Sequence, residues 1–137
     1  MEIDEALTAY LLAQSSLTAL IGRRLYPEET PSDVDLATQT AVTYIFIDDI
    51  KLHTHQGQNG LESPNVQFTA YAPTRARARA VSNQIKTALC DYVGTIGGLT
   101  VQYIKLSNEL PGKWKSTDGT VNIHMVDLEF EVNFERA

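Results

Sequence analysis

In 137 residues the chain has one cysteine, Cys90, and one tryptophan, Trp114. A single thiol excludes an intrachain disulfide and a thiolate-rich zinc site. Bases are scarce: 11 Lys and Arg face 17 Asp and Glu, for a net charge of −6. Wrapping nucleic acid needs a strong basic footprint, and so does holding an anionic membrane surface. Neither a membrane nor sequence-specific nucleic acid is therefore an expected partner. No stretch approaches the roughly 18 apolar residues of a membrane span. The opening Met1-Glu2-Ile3-Asp4-Glu5 lacks the basic region of a secretory signal. A soluble product made inside the cell is the expectation. Internal repeats and low-complexity runs are also missing.

What is present has the balance of a globular domain, with 43% hydrophobic and 20% charged residues. The length suits one domain, 1–137, with a single core. Charge is unevenly spread. Residues 1–50 hold nine acids and two bases, a balance of −7, and the remainder sums to +1. Such a dipole favours oriented association with another protein or another copy.

Helical spacing of Ile3, Leu7, Tyr10 and Leu11 predicts a helix over 3–13, with Glu2, Asp4 and Glu5 at its favourable end. Ser15 or Ser16 can cap a short second helical turn that stops at Gly22. Residues 28–40 hold four acids and no periodicity, and read as a long loop. A strand over 41–47 is apolar on both faces. A second strand near 51–55 and a turn region around Gly57 and Asn59-Gly60 follow. Residues 65–71 alternate as a half-buried strand. Thr74 then caps a helix running to about residue 92. Its core stripe is Val81, Ile85, Ala88, Leu89 and Tyr92, and its wet stripe is Arg75, Arg79 and Lys86. A strand over 99–106, a polar loop over 107–119 containing Trp114, and a final strand over 121–134 complete the chain.

In that last strand Val121, Ile123 and Met125 are apolar at odd positions, and Leu128, Phe130, Val132 and Phe134 at even ones. A change of phase requires an extra residue, so a β-bulge is expected near 125–127. The order α-β-β-β-α-β-β predicts an α+β fold. Its sheet is mainly antiparallel, with two main helices packed on one face.

No motif here builds an active site. His53 and His55 form a His-x-His pair suited to two metal ligands, but no third ligand follows at a recognisable spacing. Two exposed histidines on a hairpin is the simpler reading. Cys90 has no neighbouring base, and a packed structural thiol fits it better than a nucleophile. The serines sit in no nucleophile-elbow sequence. The run GTIGG over 94–98 lacks a Walker lysine and leads into a strand, which disfavours a phosphate cradle. Asp127, Glu129 and Glu131 fall on one strand face, where a solvated stripe or a subunit contact explains them better than acid–base chemistry. Trp114 stands between two lysines. It either packs under its own loop or anchors an interface. No catalytic residue, metal or cofactor is expected.

Several stretches, in this order, resemble the small phage tail-completion proteins. This family is also called head–tail joining or tail-terminator-like, and it belongs to long-tailed phages and prophages. The stretches are the opening helix with LTALIGRRLYP at 17–27, then AVTYIFI at 41–47, VQFTAYAPT at 66–74 and the helix with Ala76, Ala80, Ile85, Ala88 and Leu89. YVGTIGG at 92–98, Val101 and DLEFEVNF at 127–134 follow. The chain departs from the family in the long acidic loop 28–40 and in Thr40-Ala41, where a proline is usual.

The resemblance implies a non-enzymatic virion protein at the head-proximal end of the tail, assembled in the host cytoplasm. It implies a hexameric ring that caps the tail tube and docks the head connector, with tube protein and connector protein as partners. The free chain is left open between monomer and hexamer. Within such a ring Arg75, Arg79 and Lys86 are candidates to meet Asp127, Glu129 and Glu131 of a neighbour. Glu28, Glu29, Asp33, Asp35, His53, His55 and Trp114 mark three loops (28–40, 51–63 and 107–119) as candidate contacts with tube or connector. Two alternatives carry their own signatures. A small-ligand-binding or regulatory α+β dimer needs a closed apolar pocket. A metal-assisted enzyme needs His53 and His55 on a metal.

Overall fold

The computed structural model describes residues 3–28, 30, 39–54, 57–115, 119 and 122–135, and for 48–54 and 57–61 the backbone alone. Among the described residues three helices and six strands follow one another. They are α1 (Ile3–Leu12), α2 (Ser15–Ile21), β1 (Leu25–Pro27), β2 (Ala41–Thr54), β3 (Gly57–Ala72), α3 (Arg75–Leu89), β4 (Gly94–Ile96), β5 (Leu99–Lys115) and β6 (Asn122–Glu135). The strands form one curled sheet in the order β1-β2-β3-β6-β5-β4. Among the described strands the β1–β2 pair is parallel and the others are antiparallel.

This architecture corrects the expected α+β fold with two helices on one face. The described residues are mostly β, and the helices among them number three. The loops expected over 51–63 and 107–119 are largely strand. A ladder is held by backbone N–H and C=O groups, which pair whatever the side chains are. Polar side chains therefore hid the β5–β6 hairpin, and they hid the full length of the β2–β3 hairpin, of which a strand near 51–55 and a turn around Gly57 and Asn59-Gly60 are expected from the sequence. Lys51 pairs with Glu62 and His53 with Gln58, while Pro111 lies opposite Val126 and Trp114 opposite Ile123. Pro111 is tolerated because β4 covers only residues 99–101 of β5, and farther along no described strand pairs with that edge.

The helix termini follow local chemistry. The Thr74 side chain accepts a hydrogen bond from the Arg77 amide at 3.2 Å and caps α3. Gly22 ends α2 with φ 62°, a conformation that costs glycine little. α3 stops at Leu89, three residues short of the expected end. Asp91 takes a positive φ of 60°, and its amide donates to the Ile104 carbonyl at 3.0 Å. α3 lies along β3, β6 and β5; α2 packs on α3, and α1 on α2 and β4.

The expected bulge in β6 is absent. Register between β3 and β6 is continuous from Ala72↔His124 to Asn65↔Glu131, and the irregularities of the β5–β6 pair fall on β5, next to Val101/Tyr103 and Leu106/Asn108. The phase never changes. Val126, Leu128, Phe130, Val132 and Phe134 all face the helices and are buried. Ile123 and Met125 lie on the opposite, open face and are only half-buried. Core rows run straight across the sheet, as in Phe46–Val66–Phe130–Leu106. Phe68 stacks edge-on to Phe130 with ring centroids 6.0 Å apart. The core beneath α3 is completed by Ala78, Val81, Ile85 and Leu89.

Candidate subunit interface

The two charged stripes end on opposite sides of the molecule. Alternation along β6 turns Asp127, Glu129 and Glu131 away from the helices, onto the open sheet face. Thr69, Gln67 and Asn65 lie directly opposite them on β3, and Leu110, Asn108 and Lys105 on β5. Asp127 accepts a hydrogen bond from the Thr69 hydroxyl at 2.8 Å. Glu129 and Asp127 also border a shallow notch with Gln67, Asn108 and Leu110. Apolar side chains share this face: Ile45 opposite Gln67, Leu110, and Trp114, which is 50% exposed. Trp114 thus belongs to a strand and neither packs under a loop nor stands in one.

The basic stripe lies on α3. Arg75, Arg77 and Arg79 are exposed and make no ion pair among the described residues, and α3 contains no acid. Lys86 differs from its neighbours in the stripe. Its ammonium sits 2.6 Å from Glu109 of β5, tying the helix to the hairpin. Glu109 escaped sequence reasoning because it lay in a stretch read as loop. Its odd-position alternation with Pro111 and Lys113 was the available signal, and it places all three on the helix side of β5.

Between α3 and the β5–β6 hairpin runs an open groove of about 450 Å³. Arg75, Ala78 and Arg79 line one wall, and Pro111, Lys113, His124 and Val126 are among those on the other. It continues past Arg79, Ser82 and Lys86 toward Glu109. The groove is open and rimmed by cations, unlike the closed apolar pocket that a ligand-binding dimer requires.

The remaining candidates are scattered. Glu28 is exposed after β1, and its amide donates to the Tyr44 carbonyl at 2.8 Å. Glu29, Asp33, Asp35 and His55 lie outside the described residues, and only the backbone of His53 is described. Among the described residues no three His, Cys, Asp or Glu side chains gather as metal ligands. No described helix is long and apolar enough to cross a membrane. Cys90 is half-buried at the end of α3. Burial pushes its thiol pKa up, helped by Asp91 and Glu109 and opposed by Lys86. This is the reverse of what an activated nucleophile needs.

Comparison with known proteins adds a family and a fold. The family model described as Tail completion protein gp17 matches residues 5–128. A chain from the virion of the native gene transfer agent (GTA) particle superposes with a TM-score of 0.75 at 16% identity, covering 97% of this chain and 94% of that one. A second solved structure superposes with a TM-score of 0.57 at 17% identity, covering 98% and 91%. No curated protein matches the sequence.

Proposed function

The chain belongs to the tail completion protein gp17 family and is a structural component of a phage-type tail; from that premise we propose that it caps the head-proximal end of the tail tube as a hexameric ring and joins the tail to the head connector. One observation carries the ring. A single chain presents on α3 a basic surface, whose Arg75 and Arg79 make no ion pair among the described residues, and an acidic surface on the far side of its sheet. Head-to-tail association brings unlike patches together, and closes into a ring when the rotation permits. In this reading the helix face with Arg75, Arg79 and Lys86 meets Asp127, Glu129 and Glu131 of the next copy. Lys86 and Asp127 are partly satisfied within their own chain, which leaves Arg79 and Glu129 as the central pair. The two hairpin ends, one carrying His53 and the other Trp114, contact tube and connector. No step of this role calls for a cofactor or catalysis.

The test is electron microscopy of particles made without this gene. Filled heads lying apart from tails, or tails of uncontrolled length, are expected. Normal infectious particles would overturn the proposal. At the interface, Arg79→Glu should weaken incorporation into tails, and adding Glu129→Lys should partly restore it. Absence of that rescue would remove the stripe pairing.

A further inference from the structure

The β5–β6 hairpin builds a seat on one side of the sheet and a knob on the other. Alternation along β5 turns Pro111 toward α3 and Leu110 onto the open face. On the helix side the groove has a floor of Ala78 and Val126, both buried, bordered by Pro111. Arg79 stands at its rim and makes no ion pair among the described residues. On the open face Leu110 lies opposite Asp127 and is 58% exposed. Its next neighbour along the strand on that face is Gly112, which has no side chain, so Leu110 stands clear of the sheet on that side. Glu129 borders the same shallow notch as Leu110. The two are diagonal neighbours on paired strands, a separation of about 7–8 Å.

The two surfaces match in kind. One sets an apolar floor beside a cation, and the other sets an apolar knob beside an acid. We propose that Leu110 of one copy seats on Ala78, Pro111 and Val126 of the next, beside the contact of Glu129 with Arg79. The arginine keeps its acid, and the groove floor, which an acid cannot use, receives the leucine. An apolar side chain in that place excludes water from the neighbouring ion pair, and a pair with less water around it attracts more strongly. Other occupants use only part of the surface. A nucleic-acid backbone would use the rim but not the floor, and it would have to approach a chain of net charge −6. A second copy docked open face to open face would cover Leu110 but set Asp127 and Glu129 against their own kind. The proposal rests on the reading that copies join head to tail, and it gives that contact an apolar centre.

The test uses tails assembled in cells whose only copy carries Cys90→Ser with Leu110→Cys and Ala78→Cys. The two positions of one chain lie on opposite sides of the sheet, so a disulfide between them joins two chains. Under oxidation, a ladder of cross-linked chains is expected on a non-reducing gel. Tails that contain the chain without a cross-link, or that give one with Leu110→Cys alone, overturn the proposal. A second series protects against a cysteine variant that fails to incorporate, and it leaves every charge in place. Leu110→Asn should lower incorporation at least tenfold without a change in Tm, and Leu110→Met should keep it near the wild-type level. Wild-type incorporation of Leu110→Asn overturns the proposal. The charge swap Arg79→Glu with Glu129→Lys separates the two contacts. If the swap fails to assemble while the ladder forms, the stripe pairing falls and the seat stands. If the swap assembles and Leu110→Asn costs it nothing, the seat falls and the stripe pairing stands. Wild-type tails that lack the chain overturn the tail reading and the seat with it.

Discussion

Truncating Phe130 to alanine is the sharpest probe of which face of β6 is the core. Phe130 is fully buried on a strand paired on both sides, between Val66 of β3 and Leu106 of β5. Its ring meets Phe68 edge-on at 6.0 Å, and Phe68 in turn meets Tyr44 at 6.2 Å. Removing it forfeits the transfer free energy of the ring and leaves a cavity that two fixed ladders prevent from collapsing. Substitutions of this kind cost about 3–5 kcal/mol. Domains of this kind are stable by only about 5–15 kcal/mol, so the variant should be near its limit. For a chain of this length the loss corresponds to a fall in Tm on the order of 10–20 °C. Urea and thermal unfolding followed by far-ultraviolet circular dichroism measure it directly. Glu129→Gln is the internal control. It lies one residue away on the open face, so its cost should stay within about 0.5 kcal/mol. A loss below about 1 kcal/mol for Phe130→Ala, or an equal loss for both variants, would refute the assignment of faces.

Thr74→Ala should cost about 1 kcal/mol in the same unfolding assay, because the α3 cap bond to Arg77 is lost. Gly22→Ala should cost about 1–3 kcal/mol, since an L-residue is strained at φ 62° and ψ −118° and its Cβ would sit 3.3 Å from the Arg24 guanidinium. Cys90 should react with iodoacetamide more slowly in the folded chain than in urea at pH 8, because burial raises its pKa and holds the thiol neutral. The sign for stability follows. The raised folded pKa leaves stability intact below the ordinary thiol pKa of about 8.5 and erodes it as pH rises from there through the folded value. A faster folded-state reaction contradicts that environment. A double-mutant cycle on Lys86→Ala and Glu109→Ala should give a coupling of about 0.2–1 kcal/mol that shrinks in 1 M salt, since both side chains are partly exposed. No coupling would mean that the pair does not hold the hairpin to α3.

What the sequence revealed and what it concealed divide along one physical line. Elements that bury a stripe announce themselves. The apolar spacing in α1 and α3, the cap at Thr74 and the stop at Gly22 were all readable, because burial and capping choose residue types. The strand at 41–47 was readable for the same reason. Backbone pairing selects residues weakly, and there the reading failed. Residues 107–115 look like a loop, since β5 there is an uncovered edge with solvent on much of both sides and even a proline. The phase of β6 was misjudged because Ile123 and Met125 are apolar on an open face, and alternation alone cannot say which face is the core. The charged stripes were visible as spacing. Their separation onto opposite surfaces, Glu109 as partner of Lys86, and the groove formed with Lys113 and His124 all depend on the β5–β6 hairpin, whose β5 half carries no apolar alternation.

That separation bears on how copies associate. A two-fold dimer uses the same patch from both partners. If it formed through α3 it would set arginine against arginine, and through the open sheet face glutamate against glutamate. Both are like-charge contacts, which suppress association. Nor can the two stripes of one chain meet each other, because the helix layer and the sheet stand between them. At physiological salt, charges farther apart than about 8 Å are largely screened from one another. If the stripes pair between copies as proposed, every copy added exposes a fresh acidic face at one end and a fresh basic face at the other. Growth of this kind ends only by closing on itself or by meeting a different protein. The proposed role, which ends a tube and then accepts a connector, would use both endings.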